Sequence, residues 1–477
     1  MDHQFRKERR GLIELGVIPE RLIRDECEIL VDPYAEEAID RLASVDIKRE
    51  LAGWARSYYT LDGHLEAIMK YDRLKIPEPT EQAWNRTKQY VLTEFRRMPT
   101  VEVLSYKDFD KVKYLRSSSA GYGYIGLKGA PGNYERAKRT AVTIAESLNH
   151  DPAYGPEAIA NSTPDIAFTR TQLSQIKVKR KVRNVWGEAF HYVLLEGLFA
   201  DPLIKSFMER HTFYFIGKDP LLAVPALIQE ILSYTDYVYQ LDWQAFDSSV
   251  QEWEIRHAFH LLEQLLVYPS KVEKQIWHFV IELFIYRKIA CPDRRLRLKT
   301  LGIPSGSCFT NIVGSIVNYT RIQFLFMKLT REPSVAYTHG DDSLAGVSAT
   351  QYIPLSVLSE SCTPYDWQLK LEKSLISSEA EQTTFLSRTV REGQNFRDTL
   401  TCLRMLKYPE YPVPTGDIST LRAFSIAKDS GLSSTLLTKI FQYLQCKHGM
   451  AQTLPLNLQR WDPFEYELLR QSFSTTL

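Results

Sequence analysis

The chain has 477 residues, 44% hydrophobic and 25% charged, with a net charge of +1. This is the balance of a soluble globular protein of about three domains, or of subdomains sharing one core, and it excludes a bulk electrostatic argument for nucleic acid. The most apolar segment, Ile312 through Met327, contains Arg321 and reads as a buried helix rather than a membrane span. The charged start MDHQFRKERR has no apolar signal region behind it, so a cytosolic, unprocessed protein is expected. Cys27, Cys291, Cys308, Cys362, Cys402 and Cys446 lie far apart without a C-x-x-C pair, which points to neither zinc nor a disulfide framework. His257 and His260 share a helix face without a metal-ligand pattern around them.

In chain order, residues 1–60 read as mostly helical with a break at Pro19. Residues 117–133 (SSSAGYGYIGLKGAPGN) are a glycine-rich loop with interleaved aromatics. From Lys177 to Arg183 (KVKRKVR) five of seven residues are basic and none is acidic. Residues 188–233 are helical, with Leu194, Leu195, Leu198 and Phe199 at core spacing. Tyr234 to Trp243 is aromatic and β-branched, which predicts a strand, and residues 251–286 return to helix. A second basic cluster, Arg294, Arg295, Arg297 and Lys299, fits a solvated face as well as a ligand site. Residues 301–307 (LGIPSGS) form a loop opening a long apolar helix that runs to about Arg331. Val335–Thr338 and Ser343–Val347 are strands of a hairpin joined by His-Gly-Asp-Asp. After Cys402 an amphipathic segment carries Leu436, Leu437, Ile440, Phe441 and Leu444. Strands interleaved with long helices predict an α+β fold, a sheet covered by helices.

The chemistry gathers in three places. Adjacent Asp341 and Asp342 at a hairpin tip repel each other unless a cation sits between them, and a hard cation such as Mg²⁺ suits carboxylate oxygens. Asp242 at a strand end, with Asp247 after a short turn (DWQAFD), could supply the other half of a metal cage, whereas Asp247 could equally cap the next helix. Two ions about 3.5–4 Å apart can clamp the attacking and leaving oxygens of a phosphoryl transfer. Gly302-Ile303-Pro304-Ser305-Gly306-Ser307 lets backbone approach a nucleotide, and Ser305, Thr310 and Asn311 offer partners for a ribose hydroxyl.

These stretches, taken together, resemble the viral RNA-dependent RNA polymerases, and most specifically the partitivirus kind typified by double-stranded RNA plant cryptic viruses. The resemblance is carried, from Ser117 to Arg388, by SSSAGYGYIGLKG, KVKRKVRNVWG, DWQAFD, GIPSGSCFTN…N, THGDDSL, LEKS and TFLSR in the family's order. It implies a right hand of fingers, palm and thumb with an antiparallel palm sheet. Residues 1–60 would be an N-terminal extension bridging fingers and thumb, and 61–233 the fingers. Residues 234–254 and 300–400 would be palm, 255–299 a fingers insertion and 401–477 the thumb.

Carried over by residue, Asp242 and Asp341 would hold two Mg²⁺ ions (or Mn²⁺ in their place), with Asp342 close by. Asp247, Ser305, Gly306, Thr310 and Asn311 would meet the incoming nucleotide and test its ribose. Arg183 would meet the triphosphate, Lys177, Lys179 and Arg180 would line the entry channel, and Val185 would lie against the templating base. Ser117, Ser118, Ser119, Gly121 and Tyr122 would guide the template strand, and Phe385 and Arg388 would support the primer end. Lys373 would protonate pyrophosphate, with Lys370 the second choice. Implied partners are a single-stranded RNA template, a double-stranded product, NTPs and the viral capsid protein, with no membrane; the implied location is the virion interior in host cytoplasm.

One position departs from the pattern. Where many relatives carry Asn or Asp in the ribose-sensing network, this chain has Gly314, so either Asn311 or Asn318 substitutes or the network is smaller. The competing readings are a reverse transcriptase-like enzyme, against which Asp247 and the Ser-Gly loop argue, and an inactive RNA-binding relative, against which Asp242, Asp341 and Asp342 argue.

Overall fold

The computed structural model describes residues 9–19, 29–56, 59–151, 154–177, 181–432 and 434–452. Two principal sheets are built from β1 (Leu12–Val17), β2 (Asp165–Thr171), β3 (Val182–Gly187), β4 (Tyr237–Gln240), β5 (Arg287–Ala290), β6 (Arg295–Lys299), β7 (Val335–His339), β8 (Asp342–Val347) and β9 (Leu375–Ser377). The helices that position the site are α1 (Pro33–Leu42), α2 (Phe190–Met208), α3 (Pro220–Tyr234), α4 (Glu252–Glu263), α5 (Lys271–Ile285), α6 (Thr310–Leu329), α7 (Thr399–Lys407), α8 (Gly416–Asp429) and α9 (Thr435–His448).

The central sheet has the order β7-β8-β4-β9, antiparallel throughout. Successive side chains of a strand point to opposite faces, and here both faces are apolar. Ala336, Tyr239, Ala345 and Val347 join the main core with Ile316, Ile322 and Phe326 of α6. Their neighbours Tyr337, Val238 and Leu344 pack on Val224, Ile228 and Ile231 of α3. The sheet is thus covered by helices on both faces, as the sequence predicts. Helix α6 is buried all round from Ile312 to Met327 because it runs through the core. Its Arg321 is 1% exposed and forms a two-pronged ion pair with Glu254 at 2.7 and 2.9 Å. No helix among the described residues is long and apolar enough to cross a membrane.

The second sheet has the order β1-β6-β5-β2-β3 and includes the end of the first basic run. Here the expectation of a mostly helical N-terminus is corrected. Leu12–Val17 is a strand, antiparallel to β6 from Leu12↔Lys299 to Val17↔Arg295. The partner lies far away in the chain, so periodicity within residues 1–60 alone could not indicate the pairing. Helix α1 begins where Asp32 caps it, accepting from the Tyr34 and Ala35 N–H groups at 3.1 and 3.0 Å. Ala35, Ala38 and Ile39 of α1 pack with Leu403 and Leu406 of α7, Ala423 of α8, and Leu437, Ile440 and Leu444 of α9. The N-terminal segment therefore reaches both the second sheet and the C-terminal helices.

That same sheet settles the second basic cluster as structural. Arg295 pairs with Glu14 at 3.0 Å and Arg297 with Asp293 at 2.6 Å. Buried Lys299 donates to the Phe284 and Ile285 carbonyls at 2.6 and 2.9 Å.

Candidate active site

Strand β4 ends at Gln240, and the chain leaves it through Asp242 and Trp243. On the neighbouring hairpin, Gly340 takes φ +62°, which puts Asp341 at the tip and Asp342 at the head of β8 opposite His339. The two pieces are tied by one side chain. Asn318 is fully buried in α6; its oxygen accepts from Trp243 Nε1 at 2.8 Å, and its amide group donates to the carbonyls of Gly340 and Asp341 at 3.0 and 2.9 Å. One turn earlier, Ser315 Oγ accepts from the Gly340 N–H at 2.8 Å. Asn311, Ser315 and Asn318 stand at i, i+4 and i+7, one helix face aimed at the aspartate turn.

This corrects the idea that Asn318 replaces the missing ribose sensor, because its amide is spent on the turn. Asn311, half-buried in the first turn of α6, remains at hand. A Cβ at Gly314 would lie 3.6 Å from Gly340 Cα and 3.7 Å from Phe246 and Ile303, so that position faces the turn and the core.

The cluster is electrostatically open. Desolvation, Asp341 and Asp242 together push Asp342 up to about 6, against the pull of Arg183. Asp341 is exposed. Among the described residues, three ligand atoms come within 4.8 Å of one another only at Glu188, Glu196 and Cys308, where Arg287 already pairs with both glutamates. The aspartates at the strand ends are a looser set of hard oxygen donors, of which Asp342 is held up by its two neighbours. Such a set fits divalent cations, which would be held by Asp242 and Asp341 with Asp342 alongside.

Asp247 lies deeper and is no helix cap: the short helix Phe246–Ser249 begins at Ala245, and α4 is capped by Gln251. Its carboxylate accepts from Ser305 Oγ at 2.5 Å, and burial first, then Asp341, push it up to about 6. Gly306 sits at φ +140°, and a Cβ there would lie 2.1 Å from the Trp186 carbonyl oxygen; Trp186 N–H in turn donates to the Ser305 carbonyl at 2.8 Å. Glycine at 306 thus lets the Ser305 loop dock on β3, the strand that carries Arg183. Thr310 is occupied in bracing this loop, donating to the Pro304 carbonyl at 2.8 Å and accepting from Gly306 N–H at 3.1 Å.

Arg183 is exposed and its charge lowers both Asp247 and Asp342, so it faces the cluster. Val185 is half-buried on the same strand, opposite Phe168. Lys177 is exposed; Lys179 and Arg180 lie outside the described residues. In the glycine-rich loop, Ser117 and Tyr122 are half-buried. Ser118 Oγ and the Ser119 carbonyl accept from Lys128 Nζ at 2.8 and 3.0 Å. A Cβ at Gly121, φ +85°, would lie 2.5 Å from the Glu188 carbonyl oxygen, so this loop also packs against the chain leaving β3. Two expectations change here. Phe385 is 2% exposed, its ring 5.3 Å from that of Phe215, and so it serves the core and cannot touch a primer. Arg388 pairs with Asp429 of α8, its Nε at 3.0 Å, anchoring a hairpin to the C-terminal helices.

The lysines divide unexpectedly. Lys373 is exposed, whereas Lys370 Nζ lies 2.5 Å from Asp242 Oδ1. Sequence reasoning missed the Asn318 clamp and this pair; the Asn-Ser-Asn spacing on one helix face was the available signal for the first, and nothing local signals the second.

Comparison with known proteins bears on the whole arrangement. The family model "Viral RNA-dependent RNA polymerase" matches residues 31–445. The genome polyprotein of human hepatitis A virus genotype IIA is 26% identical over 269 residues, 50% of this chain and 12% of that polyprotein. The RNA-directed RNA polymerase of White clover cryptic virus 1 is 21% identical over 307 residues, 55% of this chain and 48% of that protein. The chain thus spans about half or less of these relatives' own length. The Sicinivirus 3Dpol RNA dependent RNA polymerase superimposes with a TM-score of 0.72 over 98% of this chain and 99% of that one, at 15% identity, and shows the same right-hand fold. With a family match running from α1 to α9, the chain belongs to the viral RNA-dependent RNA polymerases.

Proposed function

We propose that this chain synthesises RNA on an RNA template from NTPs, with two divalent cations, Mg²⁺ or in its place Mn²⁺, held by Asp242 and Asp341. The observation that carries this reading is the Asn318 clamp, which binds the Asp242 segment and the Asp341-Asp342 turn into one unit at one end of the central strands. When bound, the ions would activate the primer hydroxyl and neutralise the triphosphate. The chain's own part is positioning. Arg183 offers a guanidinium for the phosphates. Asp247, held by Ser305, keeps an oxygen available to accept from a ribose 2′-hydroxyl, with Asn311 nearby. The glycine-rich loop, braced by Lys128, supports a template strand, and Lys373 is free to meet leaving pyrophosphate.

The cryptic virus likeness supports the further reading that the enzyme replicates and transcribes a double-stranded RNA genome inside a capsid in host cytoplasm. The test is incubation of purified protein with single-stranded RNA, NTPs and Mg²⁺. Full-length product, dependent on template and metal and lost in Asp341→Asn, is expected. Equal incorporation of dNTPs, or product from the Asp341→Asn protein, overturns the proposal.

A further inference from the structure

We infer that the Lys370 ammonium is a resident counter-ion of Asp242 that competes with the divalent cation for this carboxylate, and so sets the free-ion concentration at which the site loads. The inference rests on the metal reading of Asp242 and Asp341. Lys370 Nζ lies 2.5 Å from Asp242 Oδ1 and 3.2 Å from the Trp243 carbonyl oxygen. The pair is partly shielded, with 28% of the lysine side chain and 37% of the aspartate exposed. Among the described residues, neither Asp341 nor Asp342 has an ion pair of this kind.

The contact is built into the backbone. Lys370 N–H donates to the carbonyl of Asp242 itself at 2.8 Å, and Gln244 N–H to that of Gln368 at 2.8 Å. The chain then turns back, with Lys373 and Ser374 N–H donating to the Lys370 carbonyl at 3.0 and 2.9 Å, while Ser374 Oγ accepts from Asp242 N–H at 3.0 Å. Residues 370–374 therefore wrap around Asp242, which fixes the Lys370 backbone beside the carboxylate that its ammonium pairs with. A cation that needs Asp242 as an anionic ligand must displace or share that ammonium, and by linkage its affinity is reduced by what the ion pair contributes. The lysine nearest the metal ligand thus acts as a positioning residue, separate from exposed Lys373.

The test is Mn²⁺ binding to the full chain, followed by electron paramagnetic resonance without RNA or nucleotide. For a partly exposed pair, Lys370→Met should bind Mn²⁺ about three- to fivefold more tightly than the wild type. Lys370→Gln should do the same, and Lys370→Arg should stay near the wild type. Melting temperatures in chelator report that each variant is folded, and either neutral variant suffices. Unchanged or weaker Mn²⁺ binding in a folded neutral variant, with binding still abolished by Asp341→Asn, overturns the inference and leaves the metal reading standing. Mn²⁺ binding that Asp341→Asn does not affect overturns both.

Discussion

The molecule gathers carboxylates twice and treats them in opposite ways. Behind the Ser305 loop, Asp165, Glu188 and Glu196 surround Arg287, all with side chains no more than 1% exposed. The guanidinium reaches Glu196 at 2.8 Å, Glu188 at 3.0 Å and Asp165 at 3.5 Å. Glu196 also accepts from Ser307 Oγ at 2.7 Å and Cys308 N–H at 2.8 Å, which ties the network to the Ser305 loop. At the strand ends, Asp242, Asp341 and Asp342 have among the described residues a single ion pair, that of Lys370 with Asp242, and Arg183 faces them from β3. Desolvated charge is costly unless paired, so a buried cluster must carry its own cation. An open cluster can leave that place to an ion from solution, and the raised carboxyl of Asp342 is the consequence. Excess acid at one site is therefore architecture, and at the other it is capacity for a ligand.

Substitutions can break this contrast. The largest effect is expected at the open cluster: Asp341→Asn should lower nucleotidyl transfer by at least ~10³ while leaving RNA binding intact. Its stability in chelator should hold or rise, since a repelling charge is gone, and a clear fall in melting temperature would make the two clusters alike. Arg287→Met should do the reverse. Stripping the buried acids of their cation should cost about 3–5 kcal/mol in urea unfolding, and an unchanged midpoint would refute the internal-cation account.

Next in size is Asp247→Ala, which removes the proposed acceptor for the 2′-hydroxyl. Selectivity for GTP over dGTP should drop by an amount equivalent to about 1–3 kcal/mol, read by competitive incorporation on one template. Because Asp247 titrates at about 6, wild-type selectivity should also weaken as the pH falls through that value; a flat pH profile would remove the ionised Asp247 from sugar selection.

A subtler test uses stability without metal. The folded values of Asp247 and Asp342 are raised from an ordinary 3.8 to about 6. The stability linked to them is therefore complete below about 4 and is lost as the pH rises through about 6. In chelator the wild type should melt higher at pH 5 than at pH 7.5, and Asp341→Asn should shrink the difference. The smallest effect is expected for Glu188→Gln. Burial and the charge of Glu196 push this carboxyl well above the usual range, against the pull of Arg287 at 3.0 Å, so of the buried acids this one gives up least when an amide of the same shape replaces it. A change within about 1 kcal/mol is expected, and a loss like that of Arg287→Met would show that Glu188 is ionised.

The candidate metal and nucleotide residues were legible because they are local. Asp242 after an aromatic strand, two aspartates in a hairpin turn and Gly306 beside Ser305 each need only their neighbours in sequence to be read, and their order named the family. Helix α6 and the two-faced strands were legible for the same reason, since apolar periodicity is a property of the segment itself. Other features depended on partners far along the chain. Leu12–Val17 is a strand because β6 offers its edge nearly three hundred residues later. Asn318 is a clamp because Trp243 and Gly340 converge on it. Phe385 is core because Phe215 faces it, and Lys370 rather than Lys373 meets Asp242 because the turn at 370–374 folds back on β4. Sequence by itself determined which chemical groups are present and which segments bear them, since covalent spacing sets local geometry. Tertiary structure alone decided which charges are neutralised within the protein and which are left for an ion, because that depends on desolvation and on distances through space.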